Sequence, residues 1–206
     1  MIVVEFDLLE IIALLTLVTA VPVFQGWRNW YGHKLRRQAA EANGWRYTRP
    51  GLRTYFSSAY SMAGTSPSGF VWHFRRLQRE RQWFYEWSSQ NNLLPFGAFI
   101  IQPRSATTLP WKERFPHLRP VTVGSHSWRE AYKVLVTHDI LSERFFSHEV
   151  ELALSHWPGW PKQGALEKIV WEPDALSICV RYKIDWPTID RVIILGTALV
   201  ENVDRE

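Results

Sequence analysis

The N-terminal part of the chain is dominated by one long apolar segment. Residues 8–24 read LLEIIALLTLVTAVPVF, and Glu10 is the only charged residue among them. A helix that spans a bilayer needs about 20 apolar residues, within a range of about 17–25, so this segment reaches the lower limit. Pro22 predicts a kink or a boundary near its last turn. We expect the helix to continue through residues 29–43 and to end at Gly44.

The charges on the two sides of this segment are unequal. Acidic residues and no Lys or Arg precede it, whereas aromatic and basic residues follow it. An aromatic belt followed by a basic cluster is typical of the cytoplasmic side of a membrane. We therefore predict a single-pass protein of the inner (cytoplasmic) membrane, with the N-terminus outside and the soluble domain in the cytoplasm. The predicted membrane interface consists of Trp27, Arg28, Trp30, Tyr31, Lys34, Arg36 and Arg37.

The apolar segment has two other interpretations. A secretory signal peptide would need a basic start and a small-residue cleavage site, whereas this start is acidic and the segment ends in VPVFQGW. A buried helix of a soluble protein is the second alternative.

Beyond Gly44, alternating apolar and polar positions separated by turn residues predict a mostly antiparallel sheet. The expected strands cover residues 55–62, 70–77, 82–88, 97–102, 121–124, 131–137, 166–171 and 176–182. Residues 138–157 and a last segment that starts at Pro187 have the apolar faces of helices. Strands followed by grouped helices predict an α+β fold. We expect a transmembrane anchor and juxtamembrane helix in residues 1–44 and a soluble α+β domain in residues 45–206.

The composition is that of a globular protein and narrows the function only slightly. Hydrophobic residues make up 46% of the chain, charged residues make up 21%, and the formal net charge is +4. This charge is too small to indicate a nucleic-acid-binding protein. The single Cys179 excludes an intrachain disulfide framework and a Cys-rich zinc site, and its place in an alternating strand predicts a buried thiol.

The search for catalytic motifs is largely negative. The sequence contains no G-x-G-x-x-G, P-loop, H-E-x-x-H or G-x-S-x-G pattern, and we expect neither a cofactor nor a metal. His73, His126, His138 and Asp139 are the candidates for an unfamiliar active site, although Asp139 is better explained as a helix cap. The acidic residues on and near the last helix, including Asp185, are interpreted as surface charges.

Two groups of residues are candidates for contact with a partner or with lipid. The expected hairpin between residues 70 and 88 has an arginine-rich tip, which suits anionic headgroups, although a solvated hairpin end is the simpler alternative. Tryptophans beside prolines could form rigid binding loops or could pack onto the core. The candidates are Arg75, Arg76, Arg79, Arg81, Trp111, Trp157 and Trp160.

The order of segments resembles a loosely defined group of uncharacterised bacterial membrane-anchored proteins. The hydrophobic helix is followed by AAEANGWRY, by YSMAG and SGFVWHF, by VGSHSWREAYKVLVTHD, and by LSICVRY before a C-terminal helix. The resemblance spans nearly the whole chain. It implies an anchor with a cytoplasmic α+β domain, and it brings no activity and no catalytic residue.

We therefore predict a noncatalytic accessory or scaffolding subunit of a larger bacterial membrane protein complex. Its expected partners are other membrane-protein subunits and the lipid bilayer, with no nucleic acid and no identified small-molecule substrate. A photosynthetic (reaction-centre or light-harvesting) or respiratory assembly is a candidate host. The alternatives are a membrane-tethered enzyme of unknown reaction and a peripheral sensor of anionic lipid or nucleic acid.

Overall fold

The chain forms two compact units, Met1–Tyr60 and Ser61–Glu206. The structure, a computed structural model, describes residues 7–49, 59–79, 82–90, 97–106, 109–138, 148–155, 157, 162–181 and 185–201. The segment after Gly44 folds back against the N-terminal helix and belongs to the first unit.

The first unit consists of a long helix and a short strand. Helix α1 extends over Leu8–Ala42 and includes Pro22. It ends at Gly44, whose φ is +73°, a conformation that glycine adopts without steric cost. The Trp45 N–H donates to the Ala40 carbonyl at 2.8 Å and the Gly44 N–H donates to the Glu41 carbonyl at 3.0 Å. These two bonds form a Schellman motif, which confirms the predicted end of the helix and leads into β1, Arg46–Thr48.

Among the residues that the structure describes, no helix combines the length and the apolar composition that crossing a membrane requires.

The second unit is built on a large antiparallel sheet. In chain order, the strands are β2 Ser61–Thr65, β3 Val71–Arg79, β4 Gln82–Ser89, β5 Phe99–Pro103, β6 Arg119–Val121, β7 Tyr132–Val136, β8 Leu166–Glu172 and β9 Ala175–Arg181. Within this unit they are ordered β2-β3-β4-β9-β8-β5-β7-β6, and neighbouring strands are antiparallel. The described helices are α2 Leu109–Arg114, α3 His126–Ala131, α4 His148–Ser155 and α5 Trp186–Glu201. The predicted α+β class is confirmed.

The core lies between the sheet and α5, which contacts β4 and β9. The burial of β3 alternates along the strand, with Trp72 and Phe74 at 2% and 0% exposure. All positions of β5 are buried, so both of its faces are covered.

Helix α5 begins where the Thr188 N–H donates to the Asp185 carboxylate at 3.0 Å. Asp185 is therefore the N-cap of α5 rather than only a surface charge.

Three predicted elements differ from the structure. No element was predicted between residues 102 and 121, but this stretch contains α2, because proline is tolerated in the first turn of a helix. Helix α3 was not predicted; its N-terminus is capped by Ser125, whose hydroxyl accepts from the Trp128 N–H. Of the helix predicted over residues 138–157, the structure describes only the part that forms α4. Asp139 and the first half of the predicted strand 55–62 lie outside the described residues.

Candidate functional site

The first half of α1 exposes apolar side chains in every direction around the helix axis. At 100° per residue, these side chains project to all sides of the helix rather than to one face. An apolar surface of this kind on a soluble protein normally marks contact with membrane or with another protein. The exposed fractions are 54–72% for Leu14, Leu15, Val18, Val21, Val23 and Phe24.

The hydroxyl group of Thr19 in this segment bonds inside the helix. The Thr19 hydroxyl donates to the Leu15 carbonyl at 2.8 Å and also lies 3.2 Å from the Thr16 carbonyl. A hydroxyl group satisfied in this way needs no water, as an apolar environment requires.

Aromatic side chains follow directly along α1. Trp27, Trp30 and Tyr31 are 58%, 44% and 48% exposed. The Trp27 ring stacks on Tyr31 with centroids 6.0 Å apart and lies 6.2 Å from the Phe24 ring. Basic side chains continue the predicted interface: Arg28, Lys34 and Arg37 are exposed, and Arg36 is half-buried.

A cluster of aromatic side chains surrounds His33, which is 4% exposed. Its Nδ1 lies 2.5 Å from the Tyr47 hydroxyl. The Tyr47 ring stacks on Tyr60 with centroids 5.7 Å apart, and the Arg36 guanidinium lies 5.1 Å from the centre of the Tyr60 ring. Burial is the main cause that raises the pKa of Tyr47, so this phenol stays protonated at neutral pH and can donate a hydrogen bond.

An open pocket of about 360 Å³ lies beside this cluster, between α1 and β1. Buried His33 and half-buried Tyr47 contribute its aromatic wall, and three cationic side chains stand around it. The Arg37 guanidinium is also paired with the Glu41 carboxylate at 2.7 Å. The lining residues are Trp30, His33, Lys34, Arg37, Tyr47 and Arg49.

Trp30, Lys34 and Arg37 were predicted as residues of the membrane interface. That they line a pocket together with Tyr47 and Arg49 was not predicted. The detectable signal was their spacing with His33: positions 30, 33, 34 and 37 lie within about 100° of one another around a helix. The contributions of Tyr47 and Arg49 had no local signal, because they depend on the chain reversal at Gly44.

The arginine-rich hairpin tip differs from the prediction. Arg76 is 7% exposed, and its guanidinium lies 4.1 Å from the centre of the Trp83 ring. Arg75 is exposed but paired with the Glu86 carboxylate at 2.9 Å. Arg76 therefore does not offer the exposed charge that a lipid or partner contact needs. The side chain of Arg79 and all of Arg81 lie outside the described residues.

The candidate tryptophans are packed within the second unit. Trp111 packs against the core cluster that includes Ile100 and Val170, and its Nε1–H donates to the Gln102 side-chain oxygen at 2.8 Å. Trp157 is 6% exposed, with the Arg191 guanidinium 5.8 Å from its ring. Neither side chain is an exposed anchor, because each covers the chain's own core. Trp160 lies outside the described residues.

The histidines proposed for an active site are not brought together. His73 lies on β3 and His138 follows β7, and both are exposed. The order of strands separates β3 from β7 by five steps, which is about 24 Å at about 4.8 Å per strand. His126 is exposed at the start of α3, with Nδ1 3.5 Å from the Glu130 carboxylate. No group of three or more metal-ligating side chains occurs among the described residues.

The buried position of Cys179 is confirmed. Its side chain is 1% exposed, and its Sγ lies 3.0 Å from the Glu167 carboxylate. A thiol this inaccessible is protected from reagents in water.

No protein-family model matches the sequence, and no curated protein matches it. The fold is similar to that of the crystal structure of the mycobacterial trehalose monomycolate transport factor A, TtfA. The TM-score is 0.55 at 9% sequence identity, and the match covers 84% of this chain and 94% of that chain. At this identity the similarity shows a shared fold.

Proposed function

We propose that this protein is a noncatalytic accessory factor of a bacterial membrane protein complex, attached to the inner membrane through α1. The observation that carries the proposal is the order of surfaces along α1. A segment apolar on all sides is followed by exposed aromatic side chains and then by basic side chains. This order matches the hydrocarbon core, the interface and the cytoplasmic headgroup region of a membrane.

The apolar segment supports insertion rather than attachment along the membrane surface. A helix that lies in the interface has one apolar and one polar face, whereas Leu15 and Phe24 project from opposite sides of α1. Transfer of a large apolar side chain from water contributes about 1.5–3 kcal/mol. Six half-exposed or more exposed side chains would therefore contribute on the order of 10 kcal/mol when immersed in lipid. In the proposed orientation, residues 45–206 lie in the cytoplasm.

The accessory role is supported by the separation of His73 and His138. This separation leaves the polar groups proposed for catalysis dispersed over the second unit. The shared fold adds a second consideration, since the similar structure belongs to a transport factor. A membrane transport assembly therefore joins the photosynthetic and respiratory assemblies as a candidate host.

Attachment and orientation can be tested in one experiment with single-cysteine variants. In a Cys179→Ala background, Asp7→Cys and Gln38→Cys place thiols before and after the apolar and aromatic segments. A membrane-impermeant maleimide should label Asp7→Cys in intact spheroplasts and should label Gln38→Cys only after lysis. Labelling of both positions on the same side would contradict the proposed orientation.

A charge-insertion pair tests whether the apolar segment holds the protein at the membrane. Leu14→Lys combined with Val18→Lys should move the protein into the soluble fraction, because a lysine at the centre of a membrane helix costs about 2.5–3.5 kcal/mol. Gln38→Lys is the matched control beyond the aromatic side chains, and it should leave the protein in the membrane fraction.

Native electrophoresis after mild detergent extraction then tests the accessory role. Migration only as a lone monomer would argue against it.

A further inference from the structure

We propose that the pocket between α1 and β1 binds the phosphate group of an anionic phospholipid. This inference rests on the proposed function, because attachment of α1 to the membrane would bring the pocket to the lipid headgroups. It adds a specific ligand site to that function, made by Trp30, His33, Lys34, Arg37, Tyr47 and Arg49.

The charge and donors of the pocket suit a phosphate. Lys34, Arg37 and Arg49 bring three positive charges to one opening, of which the Arg37 guanidinium is paired with the Glu41 carboxylate. Guanidinium and ammonium groups are the side chains that bind phosphate oxygens best. The protonated phenol of Tyr47 adds a neutral polar group at the wall. A cationic ligand would be repelled by these positive charges.

The position of the pocket favours a lipid over a free phosphate. Trp30 follows Phe24 by six residues, which is about 9 Å along a helix, so the pocket begins just beyond the apolar segment. Side chains on a helix lean toward its N-terminus, which is the membrane side of α1. Lys34 follows this rule, because its Nζ lies 5.8 Å from the centre of the Trp30 ring one turn earlier.

The same face of α1 also offers a path for an acyl chain. Trp27 and Val23 lie one and two turns before Trp30 on this face, and both are exposed. Gly26 lies between them, and a Cβ there would meet nothing within 4 Å. A phospholipid with its phosphate in the pocket could therefore rest its tail along this open stripe of the helix.

Binding can be measured with the full chain in neutral detergent micelles, where the general attraction of an anionic membrane is absent. A short-chain phosphatidylglycerol and inorganic phosphate are titrated separately, and complexes are counted by native mass spectrometry. We expect saturable binding of the lipid and much weaker binding of inorganic phosphate. Equal affinity for the two would overturn the lipid assignment in favour of a free-phosphate site.

Paired variants locate the site. One basic side chain near anionic headgroups contributes about a fivefold change in affinity. Lys34→Ala combined with Arg49→Ala should therefore weaken lipid binding by roughly 30-fold. Arg28→Ala is the matched control, because it removes one charge from the opposite face of α1. Lys34→Arg should retain binding.

Unchanged binding by the double variant, or an equal loss in the control, would refute the pocket. Far-UV circular dichroism checks that α1 remains helical in each variant. Failure of the pocket and failure of the proposed function are distinguishable. Wild-type lipid binding together with a soluble protein in cells would refute only membrane attachment. Membrane insertion together with an unaffected double variant would refute only the pocket.

Discussion

Helix α5 approaches β4 so closely that it leaves no room for a side chain at Gly196. A Cβ built at this position would lie 2.7 Å from Cε3 of the Trp87 ring and closer still to two neighbouring ring carbons. Favourable carbon–carbon contacts lie at about 3.5–4.0 Å. Trp87 is 1% exposed, so its ring cannot move out of the way without displacing the residues that bury it. We therefore predict that Gly196→Ala destabilises the second unit.

The size of the effect follows from two opposing contributions. Alanine is more favourable than glycine in a helix interior by about 1 kcal/mol. Overpacking of a filled core typically costs about 1–3 kcal/mol, and three ring atoms under about 3 Å place Gly196→Ala at the upper end of that range. The net expected loss is about 2 kcal/mol in the free energy of unfolding.

The assay is urea unfolding of the full chain in detergent, followed by far-UV circular dichroism. Gly26→Ala is the matched control, because a Cβ there meets nothing within 4 Å, and it should be neutral or slightly stabilising. Trp87→Phe in the Gly196→Ala background should cost less than the sum of the single changes, because the smaller ring relieves the overlap. A Gly196→Ala variant at least as stable as the wild type would refute the close packing of α5 on β4.

Three further predictions concern buried groups of the second unit. Arg76→Ala should lower the free energy of unfolding by about 2 kcal/mol, because a desolvated cation–π contact with Trp83 is lost, whereas Arg75→Ala should cost less than about 1 kcal/mol; urea unfolding of both variants would reveal a reversed order. Burial raises the pKa of Tyr132 to about 12, above the usual value of about 10. The folded state then holds a proton that the unfolded state has lost, so stability should fall as pH rises from about 10 to 12; thermal unfolding of Tyr132→Phe should lack this part of the fall. Cys179 should resist a water-soluble maleimide in the folded protein and react after urea unfolding, and rapid labelling of the folded protein would contradict its burial.

The local features of the fold were predictable from neighbouring residues. The end of α1 followed from Gly44, because glycine readily adopts the positive φ that closes a helix. The buried face of β3 followed from the alternation that includes Trp72 and Phe74. The two helices that were not predicted also have local explanations. The prolines near α2 argued against a helix there, and α3 was too short to show a clear helical periodicity of apolar residues.

The sites depended on contacts between residues that are distant in sequence. The basic and aromatic spacing of α1 predicted a membrane interface, but the pairing of His33 with Tyr47 required the reversal at Gly44. The burial of Arg76 had no local signal either, because Trp83, whose ring its guanidinium contacts, lies across a hairpin.

The sequence by itself determined most of the strands, the long first and last helices, and which half of α1 is apolar, since these follow from interactions within a few residues. Only the tertiary structure decided the order of strands, the dispersal of His73 and His138, and the pocket beside Tyr47. Burial and side-chain pairing of these groups arise when distant segments pack together, and no local pattern encodes which segments will meet.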